Sequence, residues 1–549
     1  MKGIGRGLAG LWILAILLAM AGLGEVPLRD WDEAIVARVA LETSQRPWPE
    51  LLFPLYWGDP YLNKPPGLHL LIAGAIGLWD RLRGAGPTTL PPEWLLRAVP
   101  ALLSTTVVPL VGLVQTRLRP RQPAVALASA AMALTLLPLA RHGRLVMLDG
   151  FQLAAILLIW WAVLTPNQRR LPLVLNGALM GLATSTLLLL KAPLAIPILG
   201  GTLALKALER DWRGQQWLWL MGGLALGLLP GLGWHVAHAL ERGSGALEMW
   251  AGQGFARLHQ RLEGHNSGPW MPIMEVLKGG WPWLALWPGA LGLAWRERSS
   301  RAGRWCLGTT ALTAALVLPL RTQLPWYSLL LWPAFLLTCG PVLVWLVTGD
   351  PELRPAWAAL TQKVPAFWAL LGGLLCALAL VGGAQGSGSI APLAPMAATG
   401  GLGLLLGGGL LLGGRPPRRR MGAIFLVAGL WGALALLMTS PLWLWELNET
   451  WPVRPVARAM ARDPVATAYL WGFEERPSLS WYAGRRLGPI SADALKALKE
   501  PALLISADPK PPATQAELCS EVPLPESGGA GGASVHLFRC RPTARQAKP

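Results

Sequence analysis

Charge is what this sequence has least of. Asp, Glu, Lys and Arg make up 14% of its 549 residues, against about a quarter in a soluble chain, which excludes an ordinary water-soluble globular protein. Acids are the scarcer sign, 30 against 48 Lys and Arg, for a net charge of +18. On a soluble protein that excess would point to nucleic acid. Here the cations fall in short bursts between apolar runs, the positive-inside pattern of membrane proteins, so no nucleic-acid partner is expected. Cysteine is sparse, five in all. Cys306, Cys339 and Cys376 lie in apolar runs and read as small core residues. Cys519 and Cys540 lie in a polar tail, where they pair in an oxidising compartment and stay free in a reducing one. His142, His235, His238, His259 and His265 form no HExxH or CxxC-type site, so no metal and no other cofactor is expected. The "HVAH" pair at 235–238 reads as structural. A P-loop and a strand-borne Rossmann fingerprint are both missing, which argues against a nucleotide-driven motor or pump. There is no internal repeat.

What the chain has in quantity is apolar runs near the ~20 residues that cross a bilayer. Candidate spans are 7–24, 98–116, 123–140, 151–166, 172–190, 192–206, 216–238, 280–295, 305–320, 325–347, 366–384, 397–414 and 421–445. The fold class expected is therefore an all-α polytopic membrane domain over 1–445 with about 13 transmembrane helices. The first run follows Lys2 and Arg6 without an A-x-A cleavage site, so it reads as a retained helix. A shorter run, 68–80, suits an interfacial helix better than a span. If it does not cross, the basic bursts at Lys2/Arg6, 117–121, Arg169/Arg170, Lys206/Arg210/Arg213, 296–304, Arg354/Lys363 and 415–420 all fall on the cytoplasmic side. The loop 25–97, the turn around Asp149, the loop 239–279 and the tail then face outward, in the cell (inner) membrane. Residues 446–549 change composition and read as a small extracytoplasmic soluble α/β domain, with "PESGGAGGAS" as a turn inside it. Runs such as "GGLLCALALVGG" suit close helix packing.

Ionisable groups near the membrane are costly and mark function by default. Asp149 opens an apolar helix in "MLDGFQLAAILL"; it also reads as a plain N-cap. Asp32 and Glu33 open an amphipathic segment, "DEAIVARVALETS", where acids also favour the helix dipole. Tyr61 and Lys64 stand in "YLNKPPGLHLL", whose prolines start the next helix. Lys191 sits at the turn of a tight helical hairpin, "LLLLKAPLAIP". Lysines outside run against the positive-inside trend and hint at an anionic partner such as a phosphate, with snorkelling to lipid headgroups as the plainer reading. Arg321 and Tyr327 ("RTQLPWYSLLL") and Arg141 and Arg144 ("ARHGRLVMLD") complete the outer set, Arg being suited to bidentate phosphate contacts. Two carboxylates converging there would supply a base and an orienting group.

Five stretches, "RDWDEAIVARVALE", "YLNKPPGLHLL", "ARHGRLVMLDGFQL", "GLATSTLLLLKAPLAIP" and "PWYSLLLWPAFLL", come in the order seen in one family. Over about residues 25 to 350 the chain resembles the lipid-linked glycosyltransferases similar to aminoarabinose transferase and the protein O-mannosyltransferases, of GT-C fold. The resemblance implies transfer of a hexosyl or pentosyl group from a polyprenyl-phosphate carrier to a lipid or protein acceptor, with inversion, on the outer face. It implies Asp32 and Asp149 as the catalytic acids, Asp32 near the acceptor. Lys64 with Tyr61 beside it, Lys191 and Tyr327 match its donor-side positions. Glu33, Arg144 and Arg321 are added as substrate-binding candidates from their place beside those motifs. Asn63 stands where many members carry Glu or His, and "LLKAP" replaces "LTKGP". The expected partners are thus the donor, the acceptor and membrane lipids. A transporter or flippase of polyprenyl-linked sugars would also want outer cations, but alternating access favours repeat symmetry and mid-membrane polar groups. A scaffold presenting the tail would leave Asp32, Lys64 and Asp149 with no common location.

Overall fold

The computed structural model describes residues 2–84, 90–250, 252, 270–385, 391–444, 453–510, 518–524 and 535–541. The expected boundary at 445/446, the turn 525–534, much of the loop 239–279, and His259 and His265 lie outside these residues.

Among the described residues, eight helices are long and apolar enough to cross a membrane: Gly3–Met20, Glu93–Leu118, Arg170–Ala207, Gly214–Arg242, Pro325–Thr348, Ala358–Ala384, Ala391–Gly413 and Pro416–Met438. Pro123–Leu134 and Asp149–Val163 are shorter apolar helices, and the 280–295 and 305–320 candidates fall on Trp287–Arg296 and Arg301–Val317. The chain is a multi-pass helical membrane protein with a small α/β domain at its C-terminal end. The second span begins earlier than expected, at Glu93. The run at 68–80 becomes the helix Gly67–Arg83, which buries Leu68, His69, Ile72, Ala73 and Ile76 against its neighbours and is not among the membrane-crossing candidates.

Arg170–Ala207 is two helices, broken where Lys191 takes φ −151°, ψ 77°. Pro193 explains the break, because it lacks the N–H that would bond the Leu189 carbonyl. The first half runs parallel to Gly214–Arg242: a Cβ on Gly177 would meet Leu220, one on Gly181 would meet Leu224, and one on Gly231 would meet Ser185. Residues 192–207 must therefore return to the start of that helix, so Lys191 occupies the turn of a hairpin. Lys206 lies a helix length away, about 22 Å at 1.5 Å per residue, bonded to Glu209 and Asp211. Small residues permit this closeness, as they do where Gly372 packs on Leu405 and Gly401.

The loop after the first span is built, not slack. The helix Asp32–Ser44 packs on Gly67–Arg83. Between them, strands Leu55–Tyr56 and Asp59–Pro60 pair through Trp57 and Gly58, both at positive φ, the requirement of a tight two-residue hairpin turn. Glu42 accepts both turn N–H groups, and Arg38 lies over the Trp57 ring. His235 and His238 serve packing here: His235 lies edge-on, and His238 tilted, against Trp234 and Trp250. Trp250 Nε1 donates to the carbonyls of Leu62 and Asn63, and Arg242 to those of Phe53 and Pro54.

The C-terminal domain is a four-stranded sheet. Ala468–Trp471 runs parallel to Ala502–Ser506, which pairs antiparallel with His536–Cys540, itself antiparallel to Cys519–Val522. Helices Val453–Arg462 and Pro477–Ala483 pack on it. Cys519 faces Cys540 across the outer pair, and the two are disulfide-bonded. Trp481 is buried with Leu28, Ala34 and Leu41, so the domain shares a core with the first loop.

Candidate active site

Four remote stretches meet at the end of the bundle covered by this domain. Asp32 is the first residue of Asp32–Ser44, and Lys64 precedes the Pro65-Pro66 pair that opens Gly67–Arg83. Asp149 heads Asp149–Val163, and Lys191 occupies the hairpin turn. The cap position of the Asp149 helix is held by Leu148, so the Asp149 carboxylate is a first-turn group near the positive helix end rather than a cap. Its Oδ1 accepts from Gln152 Nε2 at 3.1 Å and faces Lys191 Nζ at 3.4 Å. Lys64 Nζ lies 3.5 Å from Asp32 Oδ1. Lys191 Nζ stands 4.8 Å above the ring of Tyr327.

Both lysine–carboxylate contacts are longer than the usual 2.7–3.2 Å of a good N–H···O bond. The lysine side chains keep 38% and 39% of their surface open, while Asp149 keeps 9%. The ammonium groups are thus held near the carboxylates without being committed to them. Gly67 sets the spacing between the two halves. A Cβ there would lie 2.7 Å from the Leu189 carbonyl oxygen, the same oxygen to which Pro193 has no N–H to donate.

The field distinguishes two adjacent acids. Burial pushes the Asp32 carboxyl above the usual carboxylate range; Lys64 and Lys191 pull it down, Asp149 pushes it up, and the net direction is up. For Glu33 burial acts the same way, but the Arg97 guanidinium and the N–H groups of Val146 and Arg29 prevail and hold it below the usual range. Burial would lower the Lys64 ammonium, yet Asp32, Tyr61 and Asp149 raise it above the ordinary lysine value. Tyr61 is buried, its ring edge-on to His69, and burial raises its phenol. His69 is fully buried; burial and the Lys64 charge push it down to about 3, so it is neutral. Divergent shifts in neighbouring groups are how one site separates its proton-handling group from its fixed charges.

Of the residues singled out in the sequence, the structure brings together Asp32, Tyr61, Lys64, Asp149, Lys191 and Tyr327. Glu33 and Arg144 go elsewhere. Glu33 faces away into a buried pair, its oxygens 2.7 and 2.8 Å from Arg97 nitrogens. Arg144 is fully buried under the loop, donating to the carbonyls of Met438 and Ala21 with its guanidinium over Trp443. Arg141 likewise donates to the Trp443 carbonyl. A charged residue at the end of a span looks the same in sequence whether it faces a ligand or satisfies loop carbonyls. Arg321 is exposed, ahead of the turn Pro325–Leu331. The sequence reading missed Arg97, whose partner is 64 residues away, and Trp31, whose backbone conformation has no sequence signature.

Compared with known proteins, the sequence matches no family model, and no curated protein matches it. Among solved structures it is similar over its whole length to ArnT from Cupriavidus metallidurans bound to undecaprenyl phosphate: TM-score 0.69, 17% identity, 100% of this chain and 99% of that one. The same protein in the apo state gives 0.70 and 15%, with 98% of each chain covered. The archaeal oligosaccharyltransferase AglB from Archaeoglobus fulgidus, complexed with an inhibitory peptide and a dolichol-phosphate, matches at 0.45 and 11%, over 90% and 69%. The fold is thus that of the ArnT structures, as the resemblance implied.

Proposed function

We infer that this chain transfers a sugar from a polyprenyl-phosphate carrier to a lipid or protein acceptor. The observation that carries the reading is the convergence of Asp32–Lys64 and Asp149–Lys191 at one end of the bundle. In the reaction, an acceptor hydroxyl or amine attacks the anomeric carbon from the face opposite the phosphate. The C–O bond to phosphate breaks, and the polyprenyl phosphate leaves with one more negative charge than it had in the diester. Asp32 takes the acceptor proton; a carboxyl tuned upward is the better base near neutrality. Lys64 and Lys191 meet the charge growing on the phosphate, the electrostatic term that dominates such catalysis. Asp149 orients Lys191, and Tyr61 and Tyr327 flank the two lysines. Arg321, exposed six residues before Tyr327, is free to meet a headgroup only if the donor reaches it. Glu33 and Arg144 act on the scaffold and not on the substrate.

The site end is the extracytoplasmic one. The disulfide of the C-terminal domain suits an oxidising compartment, and the basic turns around Lys206 and Arg301 sit at the far end. A flippase reading has less support: the paired charges sit at helix ends, and the chain shows no repeat.

The test is transfer in proteoliposomes from radiolabelled undecaprenyl-phosphate sugars to acceptor lipids or proteins. Wild type is expected to label the acceptor. Asp32→Asn is expected to abolish labelling while eluting as folded protein in detergent. Movement of donor across the bilayer without transfer would replace the reading with the flippase, and full turnover by Asp32→Asn would remove Asp32 as base.

A further inference from the structure

The segment that presents Asp32 is strained. Trp31 has φ 59° and ψ −73°, and the Asp32 N–H bonds to the Asp30 carbonyl at 2.7 Å. That is a γ-turn in its rare, strained form, at a bulky residue that takes positive φ at a real cost. The indole does not account for it, since Trp31 is 44% exposed. Such conformations persist only where the surroundings over-determine them, and here both flanks are held. On one side Glu33 is fixed by Arg97, Val146 N–H and Arg29 N–H. On the other, the buried Asp30 carboxylate is gripped by the C-terminal domain: Arg476 Nε, Ser478 N–H at 2.9 Å and Ser478 Oγ. Arg476 and Ser478 are themselves buried. Tyr482 of the same helix accepts from Leu28 N–H at 2.7 Å and donates to Glu93 at 2.8 Å.

We propose that the C-terminal domain positions the base: Arg476 and Ser478, by holding Asp30, keep Trp31 in its γ-turn and so aim Asp32 at Lys64 and the acceptor. This rests on the sugar-transfer reading above. Asp30, Arg476 and Ser478 are positioning residues, since none of them lies among the four converging charges. The domain then acts on the acceptor step rather than on donor binding.

The experiment uses the full-length protein. Arg476→Met, with Ser478→Ala as the milder variant, is expected to lower kcat by about 10²-fold, the cost of a misplacement near 1 Å, with the donor KM unchanged. Hydrogen exchange in the peptide covering 29–35 is expected to rise as the Asp32 N–H loses its bond. Glycine accepts positive φ where alanine does not, so Trp31→Gly is expected to restore most of kcat in the Arg476→Met background and Trp31→Ala is not; both lack the indole. Unchanged exchange, faster exchange with unchanged kcat, or equal rescue by glycine and alanine each overturns the proposal. If wild type transfers no sugar, the functional reading falls, and unchanged exchange in Arg476→Met sinks the latch independently of it.

Discussion

Glu33 and Arg97 form a buried, two-point ion pair one residue away from Asp32, with side chains 1% and 0% exposed. The pair joins the start of Asp32–Ser44 to Glu93–Thr105, and through the Val146 N–H it also fixes the approach to Asp149. Arg97 further donates to the carbonyls of Leu23, Val26 and Pro27. Breaking a buried pair from one side strands the other charge, at about 3–5 kcal/mol. Glu33→Gln is therefore expected to lower the thermal midpoint in detergent sharply, with loss of activity following loss of fold. A Glu33→Gln variant that keeps the wild-type midpoint but loses transfer would return Glu33 to the substrate.

Gly67 offers a test of spacing that changes no charge. An added methyl must push Leu189 away or lift the Lys64 turn, and Leu189 is two residues from Lys191. Gly67→Ala is expected to reduce kcat/KM for transfer by about 10-fold or more, as small misplacements at a site do. Gly74→Ala, on the same helix with open space around it, is the control and is expected to transfer as wild type. Equal activity in the two would detach the hairpin contact from the reaction.

Much of this site could be read from the sequence because its groups sit at helix starts and turns that carry their own signals. Pro65-Pro66 announces a helix after Lys64, Pro193 announces the break at Lys191, and Asp32 and Asp149 stand where apolar periodicity begins. The helical membrane architecture followed from composition and run length in the same way. What stayed hidden is long-range. Nothing local tells that Asp30 meets Arg476, 446 residues on, or that Glu33 meets Arg97. Arg144 and Glu33 received substrate roles because membrane-edge charges are rare, and rarity does not distinguish a ligand from a cluster of loop carbonyls.

On the proposed reading, the lysines divide from Arg144 by function. Lys64→Gln and Lys191→Gln each remove a cation from the phosphate side, and losing one preorganised charge-stabilising donor costs about 10²–10³ in kcat. Both variants are expected to move the midpoint far less than Arg144→Met, because these lysine side chains are partly open and their pairs are loose. Arg144→Met is expected to do the reverse, lowering the midpoint through the orphaned Met438 and Ala21 carbonyls. Transfer per folded molecule in that variant should stay close to wild type. Comparing midpoint with kcat across the three variants checks the division, and a stable, inactive Arg144→Met would contradict it.

The pH profile follows from the field at Asp32. As a base, Asp32 works only when ionised, and its carboxyl lies above the ordinary carboxylate value of about 4 because burial and Asp149 disfavour the charge. Transfer is therefore expected to fall, as pH drops, at a midpoint above that value in the kcat/KM profile, which reports the free enzyme. Asp149→Asn removes a neighbouring negative charge, so the acid limb of its residual activity should move to lower pH. Lys191→Gln removes a positive one, so its limb should move to higher pH. Stability has the matching sign. A carboxyl whose folded pKa is raised binds its proton more tightly in the folded state, so its contribution is full at low pH and lost as pH rises through that pKa. Asp32→Asn is therefore expected to be at least as stable as wild type at neutral pH while inactive. If the limbs of Asp149→Asn and Lys191→Gln move in the same direction, the group that titrates is not one lying between those two charges, and Asp32 is not the base.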